Sequence, residues 1–369
     1  MPHAVRVLTN LGLGDKLANT AVATSELAYY NKFGQKIWQE PRGKFAEYNW
    51  PQYSIHRGEF QLLLLEAAKE IVGEKNIHTG CHLLSCENNG NTVTASFLDR
   101  ATNETINREA DVLIGADGIH SVVRKQFYPT EGAPAFSGII LHRGTARAKP
   151  FLTGSSMIMA GSAKQKFVAY PISKDLDKDG NQLINWIADL PVPEEDAHKE
   201  RDWNRRCDKK KILPKFIDWN FGWLNVPALI EAAMAIYEFP MSDRDPLERW
   251  SFDQITLLGD AAHPMYPIGS NGGSQAILDA EFITECLVNE PDIVKALLQY
   301  EQSRLPATSK IVLQNRQMGP EQVMQIVEER APNGFDNLYD VISPKELEDI
   351  AQRYKKIAGF EKEILNQKK

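Results

Sequence analysis

The stretch that decides the fold reads Ile255-Thr256-Leu257-Leu258-Gly259-Asp260-Ala261-Ala262-His263-Pro264 and runs on through Met265-Tyr266-Pro267-Ile268-Gly269-Ser270-Asn271-Gly272-Gly273-Ser274-Gln275. Four apolar residues make a short buried strand that delivers Asp260 at its carboxyl end, where α/β sheets bind ligands. A carboxylate in that place accepts from hydroxyl donors such as those of a sugar. Gly269, Gly272 and Gly273 leave the backbone bare. A helix is expected from about Ser274, with Ala276, Ile277, Ala280, Ile283 and Leu287 on one face. The unpaired N–H groups of a helix start favour an electron-rich or anionic group. Glycines alone would be explained by a tight loop needing φ > 0. The whole run, with its Asp, His and prolines, points to a cofactor site.

Two earlier segments repeat this design. Asp111-Val112-Leu113-Ile114-Gly115-Ala116-Asp117-Gly118 is again a buried strand ending in small residues and an Asp-Gly turn, followed by a helix carrying Arg124. Ser54-Ile55-His56-Arg57-Gly58-Glu59-Phe60 sets Arg57 at a helix start, where an always-charged, bidentate side chain suits phosphate. Taken singly, Arg57 reads equally well as a surface residue. Two tempting motifs fail. Asp175-Leu176-Asp177-Lys178-Asp179-Gly180 imitates a calcium loop, but the twelfth position, which needs a bidentate Glu, is Trp186. Leu11-Gly12-Leu13-Gly14 has Leu17 in place of the third glycine and follows a helix, so it reads as a helix C-terminus and not as a dinucleotide loop.

Outside these segments the 369 residues have ordinary globular composition, 43% hydrophobic and 25% charged, which argues against disorder and coiled coil. The formal charge of −7 argues against a nucleic-acid surface. The basic run Lys209-Lys210-Lys211 reads as a solvated helix face. Cys81, Cys86, Cys207 and Cys286 have neither CxxC nor Cys/His ligand spacing, so reduced thiols and no metal site are expected. No apolar segment reaches membrane-spanning length and the N-terminus has no signal-peptide pattern, so a soluble cytoplasmic protein is expected.

The periodicities predict a helix over 3–19, a hairpin turning at Gly34 within 25–40, an amphipathic helix over 57–72 and short strands over 77–114. Residues 136–250 have the composition of an antiparallel sheet layer, and the region beyond the glycine-rich loop is helical. A capping box with Pro at the first helical position starts a last helix at Ser343-Pro344-Lys345-Glu346.

In this order, the three segments resemble the class A flavoprotein monooxygenases, the aromatic-ring hydroxylases that include salicylate and para-hydroxybenzoate hydroxylases. The phenazine-carboxylate monooxygenase branch is the most similar, through residues 51–59, 237–247 and 257–279, and the resemblance extends to about residue 315. It implies an α/β (α+β) doubly wound three-layer FAD/NAD(P)-binding fold with an inserted antiparallel-sheet substrate layer. The FAD-binding domain would comprise residues 1–136 and 251–330, with the 25–40 hairpin joining the substrate layer of 137–250 and a C-terminal helical extension over 331–369. Asp260 would bind the ribityl chain of FAD. Gly269, Asn271, Gly272 and Gly273 would follow the pyrimidine edge of the isoalloxazine, with Pro267 beside the ring. Asp117 and Gly118 match a motif linked to both FAD and NAD(P)H, with Arg124 supporting it, and Arg57 matches a position contacting the FAD ribose or pyrophosphate. His142, Tyr170 and Trp186 are candidate substrate contacts, although strand alternation makes each equally a core residue. No side chain is required as nucleophile or metal ligand, and His263 is expected to be structural.

The reaction implied is hydroxylation of a small aromatic or heteroaromatic substrate by O₂ through a flavin C4a-hydroperoxide, with NAD(P)H as reductant. The family's opening strand, G-x-G-x-x-G turn and helix have no counterpart in this sequence, so the first βαβ unit is expected to be missing. That leaves two alternatives: an inactive flavoprotein fragment, or an FAD oxidoreductase of the same fold with another reaction. A halogenase is disfavoured because the sequence has no WxWxIP segment.

Overall fold

A computed structural model describes residues 1–192 and 205–368; residues 193–204 of the expected substrate layer lie outside the described part. Contacts divide the chain into two units, one of Met1–Leu63, Phe136–Met241 and Gln317–Lys369, the other of Leu64–Ala135 and Ser242–Arg316. This grouping differs from the expected 1–136 plus 251–330. The first 63 residues and the C-terminal helices belong with the large sheet, for reasons its two faces make plain.

The first unit is built on an eight-stranded sheet. Its order is Arg205–Cys207, Ile236–Asp243, Ala135–Ala148, Gln182–Pro191, Gln165–Pro171, Ser156–Ser162, Glu26–Tyr30 and Lys36–Pro41. The hairpin Glu26–Tyr30/Lys36–Pro41 therefore forms one edge, and its inner strand pairs parallel with Ser156–Ser162. Both faces are covered, which explains strands with few polar breaks. On one face Phe167, Trp186, Ile158, Ile184 and Ala188 pack with Ile212, Phe216, Leu229 and Ile230 from short helical segments. On the other, Tyr29, Met159, Val168 and Ile187 pack with Val323, Met324, Val327 and Ile350 from the helices Gln322–Arg330 and Pro344–Ala358. The C-terminal helices are thus the lid of a core and not an extension. Their capping box is half formed: the Ser343 hydroxyl accepts from the Glu346 N–H at 3.2 Å, while the Glu346 carboxylate turns to Arg330.

The expected helix over 3–19 is two helices, Pro2–Asn10 and Gly14–Thr20. Gly12 adopts φ 78°, and the N–H groups of Gly12 and Leu13 donate to Thr9 O and Leu8 O at 2.9 Å. This is the Schellman ending that a glycine allows, so the Gly-x-Gly there is a helix terminus.

The second unit holds two three-stranded sheets. Cys81–Asn88, Val93–Asp99 and Thr105–Ala110 form an antiparallel meander. Ile255–Leu257 pairs parallel with Leu113–Gly115 and antiparallel with Ser251–Phe252. The helices Gly272–Asn289 and Ile293–Arg316 supply Ile283, Ala296, Leu297 and Tyr300 to its core.

In the first unit one buried ion triad joins the sheet to the segment that precedes its helical cover. Lys166 Nζ lies 2.9 Å from Asp189 and 2.6 Å from Glu321, all three side chains being nearly inaccessible. Removing the cation leaves two buried carboxylates facing each other, which costs about 3–5 kcal/mol. Lys166→Met is expected to lower the urea midpoint followed by circular dichroism by that equivalent; an unchanged midpoint would show that the triad contributes nothing.

Candidate active site

Two of the three strand-or-loop-to-helix segments read from sequence, at 111–124 and 255–275, lie together in the second unit. Leu113–Gly115 and Ile255–Leu257 lie side by side, and each runs into a loop at its carboxyl end. After the first, Asp117 turns back and its Oδ2 accepts from the N–H groups of Val122 at 2.7 Å and Val123 at 3.4 Å, capping the helix Val122–Phe127. Gly115 has to be glycine, since a Cβ there would meet Val123 at 2.9 Å. Gly118 sits at φ 81° with open space where a side chain would be.

After the second strand, Gly259 takes φ 61° against Ala276, and Asp260 is exposed at the strand end. Arg124 locks this turn. Only 1% exposed, its guanidinium donates to Ala261 O at 3.1 Å, Ala262 O at 2.8 Å and Asp245 O at 3.0 Å, and it is paired with Glu131. All of its polar reach is spent on the protein, so Arg124 positions the Asp260 loop and has no donor left for a ligand.

Asp279 holds the same turn from the helix side. Its Oδ2 accepts from the Gly259 N–H at 3.2 Å and lies 2.5 Å from His263 Nε2, and its Oδ1 accepts from Arg304 Nε at 2.7 Å. Burial alone would raise the Asp279 pKa, but His263 and Arg304 outweigh it and hold the carboxyl below its ordinary value. His263 is thus structural, as the sequence motif implied. The role of Asp279 and Arg304 was invisible in sequence, because both face inward from the middle of ordinary amphipathic helices.

The loop between them turns sharply. Gly269 at φ 70° is followed by Ser270 at φ 52°, a left-handed position that costs a non-glycine residue strain. Pro267 is exposed, and Asn315 Nδ2 donates to the carbonyl of the residue before it at 3.0 Å. The helix begins at Gly272, two residues before the expected start. A Cβ on Gly273 would meet nothing within 4 Å. Asn271 is 0% exposed, yet neither its Nδ2 nor its Oδ1 has a hydrogen-bond partner. A buried primary amide left wholly unpaired costs free energy unless a ligand completes it. With the bare helix start and the exposed carboxylate of Asp260, this loop fits a polar cofactor that carries both donors and acceptors.

The first unit contributes a different set. Trp186 is fully buried opposite Gly144, where a Cβ would meet its ring at 2.4 Å, so it is core. His142 lies on that same face, with Nδ1 3.1 Å from Ala188 O. Tyr170 lies on the opposite face, which it shares with Arg143 through the register Arg143↔Ile187 and Tyr170↔Asn185. The Arg143 guanidinium sits 4.9 Å from the Phe239 ring, and its buried Nε has no acceptor. Arg57 is exposed at the start of Arg57–Val72, and its charge acts on both Arg143 and Tyr170. Arg143 escaped the sequence reading because an arginine inside a strand carries no motif.

Comparison with known proteins agrees with the geometry. Residues 2–315 match a family described as FAD binding domain. The chain belongs to that family. It is 43% identical over 317 residues to the phenazine 1,6-dicarboxylic acid hydroxylase PhzS of Lysobacter antibioticus, covering 85% of this chain and 78% of that protein. It is 28% identical to 6-hydroxynicotinate 3-monooxygenase of Pseudomonas fluorescens, covering 84% and 77%. Among solved structures, Klebsiella pneumoniae HpxO complexed with FAD and uric acid superposes with a TM-score of 0.73 at 21% identity, covering 97% of this chain and 85% of that one. A salicylate hydroxylase substrate complex gives 0.72 at 22%, covering 99% and 88%. The chain is a class A FAD-dependent aromatic monooxygenase, and FAD is its cofactor. Among the described residues no helix is long and apolar enough to cross a membrane.

Two outcomes follow. Arg124→Lys keeps the charge but cannot reach three carbonyls as a fork. Losing one charge-assisted hydrogen bond, about 1.5–3 kcal/mol, should weaken FAD binding to the apoprotein at least about tenfold in a fluorescence titration. Asp279 titrates below its ordinary value, so its network stabilises fully above about pH 4 and is lost as pH falls through the folded pKa. The stability difference between wild type and Asp279→Asn, measured by denaturation, should be flat above about pH 5 and shrink toward pH 3.

Proposed function

We propose that this enzyme hydroxylates a planar aromatic carboxylic acid of the phenazine-carboxylate class, with NAD(P)H and O₂ as co-substrates. The observation that carries the substrate class is the buried, unpaired Nε of Arg143 beside the Phe239 ring on the Tyr170 face. A guanidinium held against an aromatic ring with a donor to spare suits a flat anion, its carboxylate taken by the fork and its ring stacked among aromatics. The 43% identity to a protein named as a phenazine dicarboxylic acid hydroxylase supports the same class.

In this reading the second unit is the FAD-binding part. Asp260 holds the ribityl hydroxyls, the Asn271 amide and the N–H groups of Gly272 and Gly273 take the polar edge of the flavin ring, and Pro267 and Gly269 shape the loop. Asp117 and Gly118 form the turn beside Asp260, and Arg124 keeps both turns in place. The bound FAD supplies the redox and oxygen-transfer chemistry. The residues of this chain bind, orient and neutralise: the helix start at Gly272 favours negative charge on the cofactor. In the first unit, burial holds the Tyr170 phenol above its ordinary pKa despite Arg57 and Arg143, so it stays protonated and donates. Arg57, assigned by family resemblance to the FAD ribose or pyrophosphate, adds positive charge to the Arg143–Tyr170 face.

Arg143→Met should cut kcat/KM for phenazine-1-carboxylate about 10–100-fold, mostly through KM, as expected for one lost charge-assisted contact. The assay is NAD(P)H oxidation coupled to product formation. The uncharged carboxamide analogue should be used equally well by both proteins. Equal kcat/KM values for the acid would defeat the assignment.

A further inference from the structure

The face of the eight-stranded sheet opposite Arg143 and Tyr170 carries a second cluster that the hydroxylation reading does not use. His142 comes from Ala135–Ala148, Cys207 from Arg205–Cys207 and Glu238 from Ile236–Asp243, three strands at one end of the sheet. One ligand atom from each lies within 4.8 Å of the other two. His142 is buried, and Cys207 and Glu238 are half-buried. Sequence spacing argued against a metal site, because zinc motifs are recognised by ligands close together in the chain. Here strand pairing does the gathering.

In the metal-free cluster the Cys207 thiol donates to the Glu238 carboxylate, while the His142 proton points away. A carbonyl oxygen only accepts, so the 3.1 Å contact with Ala188 O puts the His142 proton on Nδ1. With its proton on Nδ1, the neutral imidazole leaves Nε2 a bare lone pair. That lone pair faces Glu238 Oε1 at 4.0 Å, acceptor against acceptor. Glu238 Oε2 is 3.7 Å from Arg205 Nε, a loose ion pair. One of the three ligand side chains therefore already has the outer partner that orients a metal ligand: a carbonyl behind the imidazole.

We propose that His142, Cys207 and Glu238 bind a zinc ion that pins the three-residue edge strand Arg205–Cys207 to the sheet. One imidazole, one thiolate and one carboxylate make a three-ligand set with the fourth position left to water, and the thiolate selects zinc over magnesium or calcium. Zinc–ligand bonds of about 2.0–2.3 Å place tetrahedral ligand atoms about 3.3–3.8 Å apart, so the cluster has to contract by about 1 Å. A three-residue edge strand can yield that much. Thiolate and carboxylate together neutralise the ion. Around them, Lys211 and Arg205 stand with Asp208. Zinc takes cysteine as the thiolate, so the Cys207 proton is released to solvent on binding, one proton per zinc.

The test uses the FAD-loaded enzyme incubated with zinc chloride and then desalted. Elemental analysis should find about one equivalent of zinc in wild type and in Cys81→Ser, and a small fraction of that in Cys207→Ser and Glu238→Gln. Iodoacetamide labelling mapped by mass spectrometry gives a readout that needs no variant. Zinc should slow alkylation of Cys207 at least about tenfold while leaving the exposed Cys81 unchanged. Equal zinc in wild type and both site variants, or Cys207 labelling that zinc does not slow, overturns the site.

Discussion

The buried carboxylate of Asp279 is the constraint on which the turn proposed to hold the cofactor depends. It takes the Gly259 N–H, the His263 ring and the Arg304 guanidinium at once, and so ties the turn after one strand to two helices. A charge in such a place is costly unless every lone pair is used. Because it is fully used, the turn cannot drift, and Asp260 is presented at a fixed point. Arg124 applies the same logic from the other side, by supplying donors to carbonyls that the turn would otherwise leave unpaired. Rigid support of this kind lets the next loop hold strain at Ser270 and leave Asn271 unpaired within the protein. Functional loops store such local debts when their surroundings over-determine them.

In the first unit the controlling fact is the period of two along a strand. Arg143 and His142 are neighbours in sequence and lie on opposite faces, so one joins the aromatic, cationic set proposed for substrate and the other the cluster proposed for zinc. Trp186 and Gly144 are a cross-strand pair in which a large ring fills the space a missing Cβ leaves. That fit makes the most conspicuous aromatic of the strand a packing residue. Burial of both sheet faces also recruits the C-terminal helices, whose Val323, Val327 and Ile350 would otherwise be an exposed stripe.

The comparison of arginines is instructive. Arg57 and Arg124 both stood next to glycine- or Asp-bearing turns, and family resemblance attached both to the cofactor. Arg124 proves to be inward-facing and saturated, whereas Arg57 is exposed and adds its charge to the Arg143 side. Arg143, inside a strand and without any motif, is the one with a buried donor to spare. Motifs report where a backbone turns; they do not report what a long side chain does after leaving it.

By itself the sequence determined the elements and the family. Strand-to-loop-to-helix runs at 111–124 and 255–275, the hairpin at Gly34 and the amphipathic helix from Arg57 follow from local periodicity and turn chemistry, and those signals need no partner to be read. It also determined which backbone is bare of side chains, because glycine positions are written in the chain. Only the tertiary structure decided which unit residues 1–63 and 317–369 join, which face each strand residue takes, and where Arg124, Asp279, Arg143 and the His142–Cys207–Glu238 cluster send their polar atoms. Those outcomes depend on pairing between segments far apart in sequence. A shift of one residue in register would turn every one of those strand side chains to the other face.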